Sequence, residues 1–568
     1  MELAETIRLA RGEGEIDLLL KNARVINVFS GDIHETDVAI AGSQIVGFGD
    51  YAARNVVDLG GSYVAPGFID AHVHIESSMV TVPEFARAVV PKGTTTVVID
   101  PHEIANVLGL DGIRYMLETS KHNPLSVFMM VPSCVPATHM ETAGSQLLWY
   151  DLSVFFNDPW VLGLGEMMNY PGVLALDPIV LDKLRAAAGR RIDGHAPGLS
   201  GRDLSAYIAA GIRSDHECIT LQEAHEKLRQ GMWIMLREAS TARNLAALLP
   251  LVTPANSRHC MFVTDDRNPG DLMDEGNVNF LVKKAISLGL PPITAIQMAT
   301  LNPAQYFALR DRGAIIPGFR ADLVIFDDFE HLNIRQVYRS GQLVAEQGRL
   351  TIAPSPKRDS PIRSSVNIHL ESLNMDIPAE GSRAKVIGLV PDQLITQCLV
   401  EEMKIDDGLA VADLSRDILK IAVVERHLAS GNVGKGFIKG FGLKRGAIAS
   451  SVAHDSHNIV VIGTNDRDMM LAVREIVVMR GGLVVVDGGQ TLGRLPLPIA
   501  GLMSDRPLEQ VRAALKLLTE QAHYIGAAVD DPFMAMSFMA LPVIPKLKLT
   551  DKGLVDALAF KLVPLFEP

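Results

Sequence analysis

The chain has 568 residues, 48% apolar and 21% charged, with 53 Lys+Arg against 66 Asp+Glu for a net charge of −13. At about 150 residues per domain this length predicts three to four domains, and the composition excludes disorder for most of the chain. A diffuse acidic balance with a pI near 5.7 excludes a protein built to grip a nucleic-acid backbone.

Cys134, Cys218, Cys260 and Cys398 stand far apart with no CxxC spacing. They read as reduced cytosolic thiols, not a disulfide frame or a zinc knuckle. Apolar runs lift the mean hydropathy to +0.19, yet charge, Gly or Pro breaks each before about 18 residues. The opening MELAETIRLARGEGEID has no basic segment followed by an apolar one. The expectation is a cytoplasmic protein with no membrane or nucleic-acid partner.

Residues 16–65 alternate as short strands, clearest in ARVINV and DVAIAG, with a turn at Ser30-Gly31-Asp32. The same texture returns at 313–352. Neither segment can bury a sheet face alone, so 1–65 and 311–355 are expected to share one small composite β-domain. Between them, at 66–310, apolar runs ending in polar residues alternate with helical pieces. The runs are YVAPGFIDAHVH, TTTVVIDPHE, LSVFMMVPS, WVLGLGEMM, RIDGHAP, IRSDHE, MWIMLREAS and HCMFVTDD; the helical pieces include ANVLGLDGIRYMLETSKH and TLQEAHEKLRQG. Eight such runs predict an α/β (β/α)8 TIM-like barrel; a doubly wound sheet is disfavoured because no Gly-rich phosphate turn follows the first strand. A Pro- and Ser-rich linker is expected at 356–383, followed by a C-terminal mixed α/β domain at 384–568.

In such a barrel the C-terminal ends of the strands converge on one mouth. Strand one ends in His72-Val73-His74, whose i, i+2 spacing puts both imidazoles on one side. Strand four ends in Glu166, strand five in His195, strand six in His216 and strand eight in Asp265-Asp266. Four imidazoles and at least two carboxylates make a nitrogen/oxygen metal site. Each piece alone has a plain structural reading: a core histidine, a solvated loop carboxylate, an exposed polar turn at Asp215-His216-Glu217, a helix cap at Asp265-Asp266. Their placement at five strand ends favours the metal.

Further candidates are Asp100, His102 and Glu103 at the end of strand two, facing either the mouth or a simple turn, and Glu76, Ser77 and Ser78 in the first loop. Arg237 and Glu238 on strand seven read as a structural ion pair in preference to a ligand role. In the third domain GNVGKGFIKGFG matches no nucleotide loop, and its glycines read as turns. His454-Asp455-Ser456-His457-Asn458 reads either as a cover over the barrel mouth or as a satisfied polar loop.

The motifs APGFIDAHVHIESSM, VIDPHEIANVLG, GLGEMMNYPGV, DGHAPGLSG, SDHE, LREAS, VTDDRNP and GNVGKGFIKGFGLKRGAIASSVAHDSHNIVVIG resemble the amidohydrolase superfamily and, within it, the bacterial adenine deaminases. The resemblance spans nearly the whole chain. It implies a composite β-sandwich built from both flanks and a dinuclear centre of Mn2+ or Fe2+, with Zn2+ as the alternative. His72, His74 and Asp265 would serve one ion and His195 and His216 the other, with Glu166 bridging them where many superfamily members carry a carboxylated lysine. It further implies hydrolytic deamination of adenine to hypoxanthine and ammonia, a metal-activated hydroxide attacking C6 and Asp265 and Glu166 moving protons. Glu76, Ser77, Asp100, His102, Glu103, Asp266, His454 and His457 are expected as substrate or supporting residues, and a homo-oligomer is expected. The alternatives are a cyclic amide or imide hydrolase of the same superfamily and a non-catalytic assembly protein on this fold.

Overall fold

The computed structural model describes residues 2–352, 363–390 and 393–567. Of the expected linker, 356–362 lies outside the described residues. Residues of the remainder, Leu373 and Met375 among them, pack on the C-terminal sheet.

Eight parallel strands form the barrel: Phe68–Val73, Thr94–Ile99, Ser126–Val131, Val161–Met167, Arg191–Gly194, Ser214–Asp215, Trp233–Arg237 and Cys260–Val263. The first five pair in sequence, as do the last three. The Arg213 amide on the Ile192 carbonyl (3.1 Å) joins the two groups, and the Asp265 amide on the His72 carbonyl (3.0 Å) closes the ring. Every run singled out in the sequence carries one of these strands. Ile69, Ala71, Val98, Phe128, Met130, Met235, Met261 and Val263 fill the interior, and Tyr306 and Phe307 join them, so the barrel is a packed core and not a pore.

Two departures from simple periodicity position the site. The run 63–74 is two strands: Tyr63–Pro66 pairs antiparallel with Leu323–Phe326 in the outer sheet, and the barrel strand starts at Phe68. Gly67 at the break has no room for a side chain, since a Cβ there would lie 2.2 Å from Thr95 Oγ1. Likewise the helical piece after strand two splits into His102–Leu108 and Leu110–Thr119 at Gly109, whose φ of +62° suits glycine.

The outer sheet has nine strands, six or fewer residues long except for Ile16–Asn27 and Asp32–Ala41, drawn from both flanks of the barrel. It covers a core of Leu20, Val25, Val38, Ile40, Val64, Leu323 and Ile325. The C-terminal domain is an eight-stranded mixed sheet with helices Asp466–Met479 and Leu508–Tyr524. It docks on the barrel mouth through Ser456 Oγ to Glu141 (2.6 Å), the Thr142 amide to Asp551 (2.9 Å) and Arg87 to Glu509 (2.7 Å).

Candidate metal centre

Regular alternation would point Ile69, Ala71 and Val73 to the same side. Between Asp70 and Val73, however, strand one advances three residues while strand two advances two, from Val97 to Ile99. That extra residue is a bulge, and it switches the inward set from Ile69 and Ala71 to His72 and His74. Strand four does the same: Leu164 and Met167 pair with Ile192 and Gly194, leaving one extra residue beside Glu166. Gly165 permits this, with Asp100 Oδ2 where its Cβ would stand (2.1 Å) and the same oxygen accepting the Glu166 amide at 2.8 Å.

The six expected residues meet. Glu166 Oε1 lies 3.2 Å from His74 Nε2 and 3.6 Å from His72 Nε2, while Oε2 lies 2.6 Å from His195 Nδ1 and 3.2 Å from His216 Nε2. One carboxylate thus faces two histidine pairs with separate oxygens. Asp265 Oδ1 faces the first pair at 3.1 and 3.5 Å, from a backbone in the left-handed region (φ +57°) that Asp tolerates better than most residues. All six are buried, including His216, which an exposed-turn reading had placed in solvent.

The donor set fits cations. His74 Nδ1 lies 2.8 Å from the Asp100 carbonyl, which can only accept, so Nδ1 carries a proton and His74, when neutral, presents its Nε2 lone pair to the centre. There it meets His72 Nε2 at 3.1 Å and two carboxylate oxygens. Such a cluster of acceptors repels itself unless positive charge lies among them. The electrostatics agree. Burial lowers the His72 imidazolium, yet hydrogen bonds to Asp265 and Glu166 win and lift it to about 10. Burial would raise Glu166, but His216 and His195 hold it well below the usual carboxylate range.

Arg237 and Glu238 do not pair with each other. They are neighbours on an extended segment and project to opposite faces. Arg237 turns inward, donating to Glu217 and to Asp265 Oδ2 (2.9 Å), whereas Glu238 takes Lys284 Nζ at 2.5 Å. Glu217, absent from the expected ligands, stands 3.5 Å from His216 Nε2 and 3.8 Å from His195 Nδ1; its place directly after His216 at a strand end was the available signal.

A model of the "Amidohydrolase family" matches residues 63–344, and one of the "Adenine deaminase C-terminal domain" matches 393–561. An adenine deaminase of Desulfatibacillum aliphaticivorans is 52% identical over 99% of both chains. This chain belongs to the adenine deaminase family. A second member, from Dehalococcoides mccartyi, is 50% identical over 99% of both. A solved adenine deaminase structure is 18% identical, covers 58% of this chain and 100% of its own, and has a TM-score of 0.45. Membership in the amidohydrolases implies divalent metal, which agrees with the donor set.

The C-terminal domain typical of adenine deaminases closes over this centre. A cavity is lined by His74, His102, Glu103, Glu166, His195, His216, Glu217, Arg237, Asp265 and Asp266 from the barrel and by Leu394, His454, Asp455, Phe538, Leu541 and Ile544 from the C-terminal domain. His102 lies 3.7 Å from Asp455, and His454 Nδ1 3.5 Å from Glu103. Among the described residues, His102 Nδ1, Glu103 Oε2, His454 Nε2 and Asp455 Oδ2 are buried without a hydrogen-bond partner. The other expected residues stand one layer back. Ser77 Oγ bonds Glu103 (2.9 Å) and Asp266 (2.5 Å). Glu76 is pushed up to about 8 by burial and then by Glu103. Asp100 supports strand four. His457 does not line the cavity: its Nδ1 accepts the Ala453 amide at 3.1 Å. Asp455 lies in the 454–458 run read as a cover over the mouth, whereas Leu394, Phe538, Leu541 and Ile544 carry no pattern in the sequence that marks them for the site.

Proposed function

We propose that this chain hydrolyses adenine to hypoxanthine and ammonia. The observation that carries the reading is the Glu166 carboxylate, whose two oxygens face separate histidine pairs at the mouth of an amidohydrolase barrel. The barrel at 66–310 carries the chemistry, the sheet from 1–65 and 311–355 braces it, and the domain at 384–568 closes it. His72, His74 and Asp265 would hold one divalent ion and His195 and His216 a second, with Glu166 serving both. Imidazole and carboxylate donors suit Mn2+ or Fe2+, and Zn2+ as well. Bound there, such ions would supply the Lewis acidity that lowers the pKa of the attacking water towards neutrality.

The chain's own groups do the rest. Attack of water at C6 forms a C–O bond, the C6–N bond then breaks, and of the water's two protons one ends on N1 and the other on the departing ammonia. Asp265 accepts and returns a proton, with Glu166 assisting, each such role being worth about 10²–10⁴-fold. Arg237 fixes Asp265 through Oδ2 and leaves Oδ1 towards the reacting centre. His102, Glu103, His454 and Asp455, with their unpartnered buried atoms, hold the polar edge of the base.

The test is turnover of adenine by metal-stripped protein reconstituted in parallel with Mn2+, Fe2+ and Zn2+, reading hypoxanthine and ammonia. Full metal content with no adenine turnover refutes it and moves the assignment to cyclic amides or a non-catalytic role. We also place the protein in the cytoplasm as a homo-oligomer, supported by its free thiols and by Trp149, Tyr150 and Val154 exposed together on one short segment; sedimentation of the purified chain measures the second.

A further inference from the structure

The barrel mouth lines its cavity mostly with ionisable groups. Met168, Ala239 and Ala242 are the apolar side chains it adds. An aromatic heterocycle buries two flat faces, and those faces need apolar or aromatic contact while the ring edge takes hydrogen bonds. Leu394, Phe538, Leu541 and Ile544 of the C-terminal domain, lining the same cavity, supply the larger apolar surface.

This wall is built to hold its shape. The Phe538 ring stacks on His454 with centroids 4.5 Å apart and planes 10° from parallel. Behind it, fully buried Lys548 donates from Nζ to the Phe538 carbonyl (3.0 Å) and to the Leu394 carbonyl (2.9 Å), tying together two segments of the wall that lie 144 residues apart in the chain. The wall also closes the mouth. Phe538, Leu541 and Ile544 are 5%, 3% and 7% exposed, so a sugar attached to the base would have to displace them.

We propose that the C-terminal wall of Leu394, Phe538, Leu541 and Ile544 binds the face of a free purine base and excludes its nucleoside, with Lys548 as the positioning residue. This rests on the deaminase reading and adds to it the part of the fold that sets the substrate class.

The experiment compares wild type, Phe538→Ala, Phe538→Leu, the Leu541→Ala/Ile544→Ala double variant and Lys548→Met, each loaded with Mn2+ and checked for metal content and melting temperature. Adenine and adenosine kinetics are measured, and hypoxanthine binding is read by calorimetry. Loss of base stacking on an aromatic ring is expected to raise KM for adenine about tenfold or more in Phe538→Ala and to weaken hypoxanthine binding in proportion. The double variant opens the mouth, and its preference for adenine over adenosine in kcat/KM falls at least about tenfold. Lys548→Met raises KM more than it lowers kcat. Phe538→Leu keeps most of the volume and covers the case in which the alanine variant fails to fold, with KM raised in the same direction. Wall variants with full metal content, unchanged KM, unchanged hypoxanthine affinity and unchanged base preference overturn the proposal while leaving the deaminase reading intact. A metal-loaded wild type that turns over no adenine overturns both.

Discussion

Arg237 offers the sharpest test of how the centre is held together. The residue is 3% exposed, and its guanidinium donates to Glu217 and to Asp265. Arg237→Met keeps the length of the stem but leaves two buried carboxylates without that counter-charge. Removing one partner of a buried ion pair costs about 3–5 kcal/mol, because the remaining charge stays desolvated. A domain of the barrel's size loses about 2–4 °C of melting temperature per kcal/mol, so the metal-stripped variant should melt about 6–20 °C below metal-stripped wild type at pH 7. The assay is scanning calorimetry after exhaustive chelation, which keeps bound cations from masking the loss. Adding Glu217→Gln to Arg237→Met removes one of the orphaned charges and should recover part of the difference. A single variant melting within about 2 °C of wild type, or no recovery in the double variant, would show that the guanidinium is not what balances these carboxylates.

Gly165→Ala would set a Cβ 2.1 Å from Asp100 Oδ2 and dislodge the acceptor of the Glu166 amide. The expected outcome is a folded barrel binding less than its full complement of metal, read by elemental analysis, whereas full occupancy would mean that the strand-four bulge tolerates the shift. Glu141, at the contact between barrel and C-terminal domain, is pushed up to about 8 by burial, from an ordinary carboxylate value of 4.5. Its folded pKa exceeds its unfolded one, so its contribution is complete below about pH 4.5 and fades as pH rises through 8. Denaturant titrations at pH 5, 6, 7 and 8 should therefore show wild type losing stability relative to Glu141→Gln as pH rises; a pH-independent difference contradicts this. Chelation should lower the melting temperature and Mn2+ should restore it, by about 2.7 kcal/mol at a hundredfold excess over Kd. In Glu166→Ala that metal-dependent rise should shrink sharply.

The eight barrel strands and their polar ends were legible because a strand's chemistry is local: alternation, a terminal charge and a following helix all lie within some thirty residues. The same holds for His72 and His74, two positions apart, and for Glu166, His195, His216 and Asp265, each at the end of its own run. What periodicity could not supply was the face. One inserted residue in strand one turns His72 and His74 inward and one in strand four does the same for Glu166, and a bulge shows itself only against its partner strand. Nor could it assign partners to neighbours that diverge: Arg237 and Glu238 are adjacent in the chain, but strand geometry sends one to Asp265 and the other to Lys284.

The chain by itself determined which elements exist and which ionisable groups end them, since both follow from interactions among nearby residues. Tertiary structure alone decided that Phe538, Leu541 and Ile544 line one cavity with residues that begin at His74. Burial pairs surfaces by shape and apolar area, and those leave no periodic trace across more than four hundred intervening positions.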